Sequence, residues 1–179
     1  MNQTLIQSGS KTHVIQGEHY VSDHPDAMFT TVLGSCVSAC LHDPVAGLGG
    51  MNHFLLADAG ERGDAEAVRY GAYAMEVLIN SLLKRGAGRG RLQAKVFGGA
   101  RMFDGLSDVG ADNARFIRRF LDVEGIPLLS ESLGGVTARR VEFWPATGRA
   151  RVRHASASPV EPPPILRPKA APIGDVELF

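Results

Sequence analysis

Thr30 to Leu56, TTVLGSCVSACLHDPVAGLGGMNHFLL, is the stretch whose reading decides the fold. Before Asp43, Val37, Ala39 and Leu41 alternate with Cys36, Ser38 and Cys40, the two-residue period of a strand with two different faces. Asp43-Pro44 opens a turn, because proline presets φ at its first central position and the aspartate bonds back to the local backbone. Beyond it, Met51 to Leu56 is short and largely apolar, so the two runs read as a β-hairpin. With Asp43, Pro44, Val45 and Ala46 as the four turn residues, Cys36 falls directly opposite His53, their Cβ atoms roughly 4.5–5.5 Å apart. An imidazole at that distance takes up a thiol proton, and a thiolate is expected at neutral pH. Register decides the matter. A slip of one residue turns His53 to the other face, and Gly47, Gly49 and Gly50 form a cluster where a bulge would cause one.

A chain of 179 residues suits one domain with a real core. Lys+Arg 19 against Asp+Glu 19 leaves a net charge of +0, so no electrostatic footprint for nucleic acid or an acidic membrane is visible. No apolar run approaches the ~18 residues of a membrane span. The N-terminal MNQTLIQSGSKTHVIQG lacks a basic region followed by an apolar core, so it is not read as a secretory signal. The expected location is the cytoplasm, where thiols stay reduced. Cys36 and Cys40, four apart, would lie roughly 13 Å apart on a strand, too far for a disulfide or one shared metal ion. On a helix, Cys36, Cys40 and His42 would instead draw a zinc site, but the β-branched and glycine residues around them favour a strand. Cys40 then reads as a small buried hydrophobe.

Along the chain, residues 1–12 are polar and expected to be loose, and Val14 to Val21 is a candidate strand. Asp64 is a plausible cap for a helix over Ala65 to Lys84, with Val68, Ala72, Met75, Ile79, Leu82 and Leu83 at helical spacing and Gly86 as its stop. GAGRGR reads as a solvated loop, and Leu92 to Phe97 as a strand running into Gly98-Gly99-Ala100. Those two glycines mark either a tight turn or a close backbone approach, and so a candidate substrate-site loop. Asp112 or Asn113 can cap a second helix to about Glu124, whose buried stripe is Phe116, Ile117, Phe120 and Leu121. Ile126 to Leu133 reads as a strand, and Arg139 to His154 as a second hairpin around Pro145-Ala146-Thr147-Gly148. The proline-rich residues 155–179 cannot pack a core and are expected to form an extended or disordered tail, leaving 13–154 as the domain. Strands outnumber helices without a regular alternation. The fold class expected is therefore α+β, a layered sandwich of mixed, largely antiparallel strands with two main helices.

A cysteine–histidine pair needs a third group to hold the ring. Thr30 lies six residues before Cys36, and Thr31 beside it is chemically equal, so the residues alone do not choose. Gly34 lets the chain bend ahead of Ser35 and Cys36, opening main-chain N–H groups there for an oxyanion.

Thr30, Leu33-Gly34-Ser35-Cys36-Val37, Asp43-Pro44 and His53, with Gly98-Gly99-Ala100, Met102-Phe103, Asn113-Ala114, Gly134-Gly135 and Arg139-Arg140-Val141, closely resemble the chemoreceptor glutamine deamidases of bacterial chemotaxis, the CheD family. The resemblance covers about residues 14 to 153. It implies a layered fold similar to a bacterial toxin that deamidates host GTPases. It also implies conversion of glutamine side chains on the cytoplasmic region of methyl-accepting chemoreceptors to glutamate, with hydrolysis of glutamyl methyl esters as a second activity. The implied triad is Cys36, His53 and Thr30, the threonine six before the cysteine, with no metal or organic cofactor. Some members bind a chemotaxis phosphatase of the CheC type. Two other functions compete: a non-catalytic chemotaxis adaptor, and a cysteine amidase acting on other substrates.

Overall fold

The computed structural model describes residues 11–56, 64–102 and 108–154. In chain order these form β1 (Lys11–His13), β2 (His19–Ser22), β3 (Met28–Leu33), β4 (Val37–Asp43), β5 (Leu48–Asn52), α1 (Asp64–Lys84), a 3-10 turn (Arg89–Arg91), β6 (Gln93–Gly98), α2 (Val109–Val123), β7 (Leu128–Leu133), β8 (Arg139–Trp144) and β9 (Arg149–His154). One sheet has the order β1-β3-β8-β9 and the other β2-β5-β4-β6-β7. Among the described residues only the β1–β3 and β6–β7 pairs are parallel, and two α-helices accompany the mixed sheets, so the class is α+β, as the patterning implies.

The layers run four-stranded sheet, five-stranded sheet, helices, and β4 explains why. Its Val37, Ala39 and Leu41 meet Met75, Leu78, Ile79 and Leu82 of α1 and Ile117 and Leu121 of α2 in one core. Its Cys40 turns the other way, into a second core with Phe29, Leu33, Met51, Phe97, Val141 and Phe143. A central strand covered on both faces cannot alternate apolar with polar, so all of β4 is buried except half-buried His42. Phe54, fully buried with Phe116 edge-on at 5.9 Å, belongs to the helix-side core. Removing a ring so enclosed costs about 3–5 kcal/mol.

Several boundaries differ from the expectations. Lys11 and Thr12 belong to β1, paired with Met28 and Phe29, so the chain joins the sheet before residue 13. The expected strand from Val14 to Val21 is instead the turn that follows β1, in which Glu18 accepts from the Ile15 N–H (3.2 Å), and then the start of β2 at His19. Val68 is 49% exposed, because the inner stripe of α1 is carried by Met75, Leu78, Ile79 and Leu82. The loop at 86–91 is tied down: Gly88 N–H and the Arg91 guanidinium both reach the Asp43 carboxylate. The second helix starts at Val109, capped by Asp108, which accepts from Ala111 N–H (3.0 Å). Asn113 therefore lies inside it rather than at its end. The tail at 155–179 and residues 1–10 lie outside the described residues.

Candidate active site

The β4–β5 hairpin is real, but its register is displaced by two residues from the one expected. Asp43 pairs with Leu48, Cys40 with Met51, and Val37 bridges Phe54. The turn is Pro44 to Gly47, one residue further along. Asp43 Oδ1 accepts from Val45 N–H (2.9 Å) and Ala46 N–H (3.1 Å), which starts the turn after Asp43 rather than on it. Gly47 closes it at φ +60, a left-handed conformation that favours glycine. No register shift interrupts the β4–β5 ladder. A displacement of two leaves every side chain on its face. Cys36 and His53 are therefore diagonal rather than opposite neighbours, both on the side that faces the four-stranded sheet. Cys36 packs against the inter-sheet core, and His53 reaches β3.

His53 is 8% exposed, and one side of its ring is fully engaged. Nδ1 lies 3.0 Å from Thr31 Oγ1 and 3.2 Å from the Val14 carbonyl oxygen, while Thr31 Oγ1 donates its proton to that same carbonyl (2.7 Å). A carbonyl only accepts, and the threonine proton is already spent. Both contacts thus require a proton on Nδ1. Nε2 is then an unprotonated acceptor, and among the described residues it is buried with no hydrogen-bond partner. A buried imidazole lone pair with nothing bonded to it is costly in a core, but it is what a proton acceptor for an incoming reaction needs.

The threonine that holds the ring is Thr31, not Thr30. Thr30 Oγ1 donates instead to the Val141 carbonyl of the neighbouring strand (2.9 Å). The physical reason is the alternation of β3. Phe29 and Leu33 point into the inter-sheet core, so Thr31 shares their face and Thr30 takes the opposite one.

Burial sets the electrostatics. It pushes the Cys36 thiol above its ordinary pKa, with its own backbone N–H beside the sulfur pulling the other way. Burial likewise lowers His53, opposed by the Val14 carbonyl and reinforced by nearby His13. Both shifts favour the neutral forms, thiol and imidazole, rather than the thiolate expected from the sequence. The Cys36 sulfur contacts the Gln16 carboxamide oxygen at 3.7 Å. Cys40, fully buried four residues on, has its thiol raised much further by burial. With Cys40 inside a strand, the helical spacing that would draw a zinc site with His42 does not form.

The bend that carries the thiol is held from beneath. Gly34 carbonyl accepts from Ala100 N–H (2.9 Å), Cys36 carbonyl from Gly99 N–H (2.8 Å), and Ser35 carbonyl from Asn113 Nδ2 (3.0 Å). Gly98, at φ +112, brings its backbone so close that an added Cβ would stand 2.0 Å from the Cys36 oxygen. Gly98 and Gly99 are thus buried supports under the nucleophile turn rather than an open loop facing a substrate. Asn113, fully buried, also accepts from Leu56 N–H (2.8 Å), tying the turn, the end of the hairpin and α2 together. Asn52 does similar work beside His53, accepting from Ala39 N–H (2.9 Å) and donating to the Ala74 carbonyl of α1 (3.2 Å). The sequence reading missed both asparagines as supports. Their signal was an amide side chain inside a strand and inside a helix, where asparagine is disfavoured unless it has a partner. A cleft bordered by Gly17, Glu18, Asn52, His53, Tyr70 and Tyr73 runs from this site along α1.

The family model described as CheD chemotactic sensory transduction matches residues 55–154. A protein of Caulobacter vibrioides named probable chemoreceptor glutamine deamidase CheD is 61% identical over 175 residues, covering 94% of this chain and 93% of its own. The chain belongs to the CheD family. A CheD protein of the same name from Agrobacterium fabrum is 51% identical over 178 residues, covering 96% of this chain and 98% of its own. The family match begins beyond His53, so it does not score the Cys36–His53 constellation. Among solved structures, the Bacillus licheniformis hypothetical protein YfiH aligns with a TM-score of 0.42 and 16% identity over 64% of this chain and 49% of its own. Among the described residues, no helix of this CheD chain is long and apolar enough to cross a membrane.

Proposed function

We propose that this protein is a cysteine-dependent protein-glutamine glutaminase that converts glutamine side chains of methyl-accepting chemoreceptors to glutamate. The single observation that carries the reading is the His53 ring, with Nδ1 committed to Val14 and Thr31 and a buried, unpartnered Nε2 on the face it shares with Cys36. The curated relatives named as chemoreceptor glutamine deamidases support the choice of substrate.

The chemistry follows from the tautomer. As the receptor glutamine enters, His53 Nε2 takes the Cys36 proton and the sulfur attacks the side-chain amide carbon. The tetrahedral oxyanion is met by the Cys36 N–H at the nucleophile turn, a donor of the kind worth about 3–4 kcal/mol in comparable sites. Nε2–H then passes its proton to the leaving ammonia, and a thioester to Cys36 remains. A water molecule, deprotonated by the same Nε2, hydrolyses it to glutamate and restores the thiol. Thr31 and the Val14 carbonyl keep the ring in place while its charge changes. A glutamyl methyl ester would follow the same path with methanol leaving, so methylesterase activity belongs to the same centre. A free reactive thiol suits the reducing cytoplasm, where the receptor substrate region also lies.

The test is direct. A purified receptor cytoplasmic fragment incubated with the protein should gain ~1 Da per converted glutamine by mass spectrometry, and Cys36→Ala should leave it unchanged. A Cys36→Ala protein that converts the fragment as fast as wild type removes the mechanism. A wild type that binds the fragment without any mass gain would favour an adaptor.

A further inference from the structure

Gln16 stands in the turn between β1 and β2, and that turn is fastened to the catalytic strands on both sides of it. Val14 N–H donates to the Thr30 carbonyl (2.8 Å), Gly17 N–H to the His53 carbonyl (2.8 Å), and His53 N–H to the Glu18 carbonyl (3.1 Å). The turn closes on itself through Glu18 N–H to the Ile15 carbonyl (3.0 Å). Its first residue, Val14, supplies the carbonyl that fixes the His53 tautomer. The same short segment that orients the base therefore sets a carboxamide against the nucleophile, with Gln16 Oε1 at 3.7 Å from Cys36 Sγ. The Gln16 side chain is exposed while His53 is buried, so the carboxamide stands on the open side of the sulfur, where a substrate amide must arrive.

A tetrahedral oxyanion needs more than one donor. At this turn the Cys36 N–H lies beside its own sulfur, but the next one, Val37 N–H, is already spent on the Phe54 carbonyl (2.9 Å). A glutamine side chain carries both an acceptor and two donors on one plane, and a half-turn about its last torsion exchanges them. In the resting site the thiol proton points to Oε1. Once His53 has taken that proton, Oε1 has no donor to accept from, while charge builds on the oxygen of the attacked amide.

We propose that Gln16 is a catalytic residue whose Nε2–H group, presented by that half-turn, is the second donor to the oxyanion formed at Cys36. The proposal rests on the thiol-deamidase reading. No bond to Gln16 is made or broken. Its amide only exchanges one hydrogen bond, from the Cys36 thiol, for another, to the substrate oxygen.

The experiment uses the full chain and two readouts. One is turnover of a receptor fragment. The other is reversible binding of a short peptide bearing glutamate γ-semialdehyde in place of glutamine, whose aldehyde adds to Cys36 to give a thiohemiacetal with its oxygen in the same position. For Gln16→Ala, kcat should fall about 10²–10³-fold with KM changed by less than about threefold. The aldehyde should bind at least about tenfold more weakly, and the melting temperature should not move, because Gln16 is exposed. Gln16→Glu, which offers no donor at neutral pH, should be no better than the alanine variant. An alanine variant with wild-type kcat and aldehyde affinity overturns the proposal. One that turns over faster than wild type also overturns it, and would make Gln16 a plug over the thiol. A wild type that binds the aldehyde in a Gln16-dependent way but never converts the receptor sinks the deamidase reading and leaves the donor role standing. A wild type that does neither removes both.

Discussion

At its Asp43 end, β4 finishes in a buried carboxylate whose oxygens are all engaged. Val45 and Ala46 N–H donate to one oxygen, Gly88 N–H to the other (2.8 Å), and Arg91 clamps both (Nη2 at 2.7 Å from Oδ2). At its other end the same strand emerges from a bend that carries a thiol, on the face it shares with an imidazole nitrogen that has no hydrogen-bond partner among the described residues. Both ends are built around a polar group in a largely apolar setting. One satisfies that group completely and gains rigidity. The other satisfies the groups around it — the Gly34, Ser35 and Cys36 carbonyls and His53 Nδ1 — and leaves His53 Nε2 without a partner among the described residues. The candidate reactive end is thus not a loosely made corner of the fold: its supports are bonded, and His53 Nε2 is, with Ser38 Oγ and Arg139 Nε, one of three buried polar side-chain atoms without a partner among the described residues.

The comparison can be broken from the reactive end first. His53→Ala should lower receptor-fragment turnover about 10²–10⁴-fold, the loss of a general base. It should leave the melting temperature nearly unmoved, because Thr31 still donates to Val14 without the ring. Turnover within tenfold of wild type in a folded variant would contradict it.

Next in size is the pH dependence of Cys36 alkylation. With the thiol raised and His53 lowered, the iodoacetamide rate should climb about tenfold per pH unit from pH 6 to 8. A plateau already at pH 6 would mean an ion pair. The sign for turnover follows from the same shifts. The base must be neutral, and its pKa is lowered, so the acid limb of kcat/KM should lie below pH 6.5, the ordinary histidine value.

A sharper contrast comes from the two threonines. Thr31→Val should cost about 10–100-fold in kcat, the usual scale for a group that orients a catalytic ring, while Thr30→Val stays within a few-fold. Equal effects, or the reverse order, would mean that the ring turns to Thr30 when substrate binds.

The smallest effect on catalysis belongs to the rigid end. Asp43→Asn should leave kcat within about twofold but lower the melting temperature by roughly 5–10 °C. The Asp43 carboxyl is held well below the usual carboxylate range, first by Arg91. Its contribution is therefore complete above the unfolded pKa near ~4 and disappears as pH falls below it toward the folded value. The wild-type stability curve should fall more steeply below that pH than the asparagine variant's, which calorimetry at several pH values would read.

Much of this was legible in residue patterns. Helical periodicity marked both helices, and the paired runs around Pro44 and Pro145 marked both hairpins, because these signals are local. The face shared by Cys36 and His53 survived a register error of two, since side-chain direction in a strand depends only on parity. The choice between Thr30 and Thr31 was not legible. Neighbouring threonines have equal local preferences, and only the identity of the sheet packed against β3 separates them. For the same reason the residues alone leave Gly98 and Gly99 between a tight turn, a close backbone approach and a substrate-site loop. Their role appears only when the Cys36 backbone is brought onto them from sixty residues away in the chain.

By itself, then, the sequence determined most element types, the α+β class and the placement of one cysteine and one histidine on the same face, all properties of short segments and their alternation. Only the tertiary structure decided which threonine holds the ring, which ring nitrogen is left bare, that burial favours the neutral forms of thiol and imidazole, and that a glutamine from another turn touches the sulfur. Each of these depends on desolvation or on a hydrogen bond between segments that meet only when the layers close.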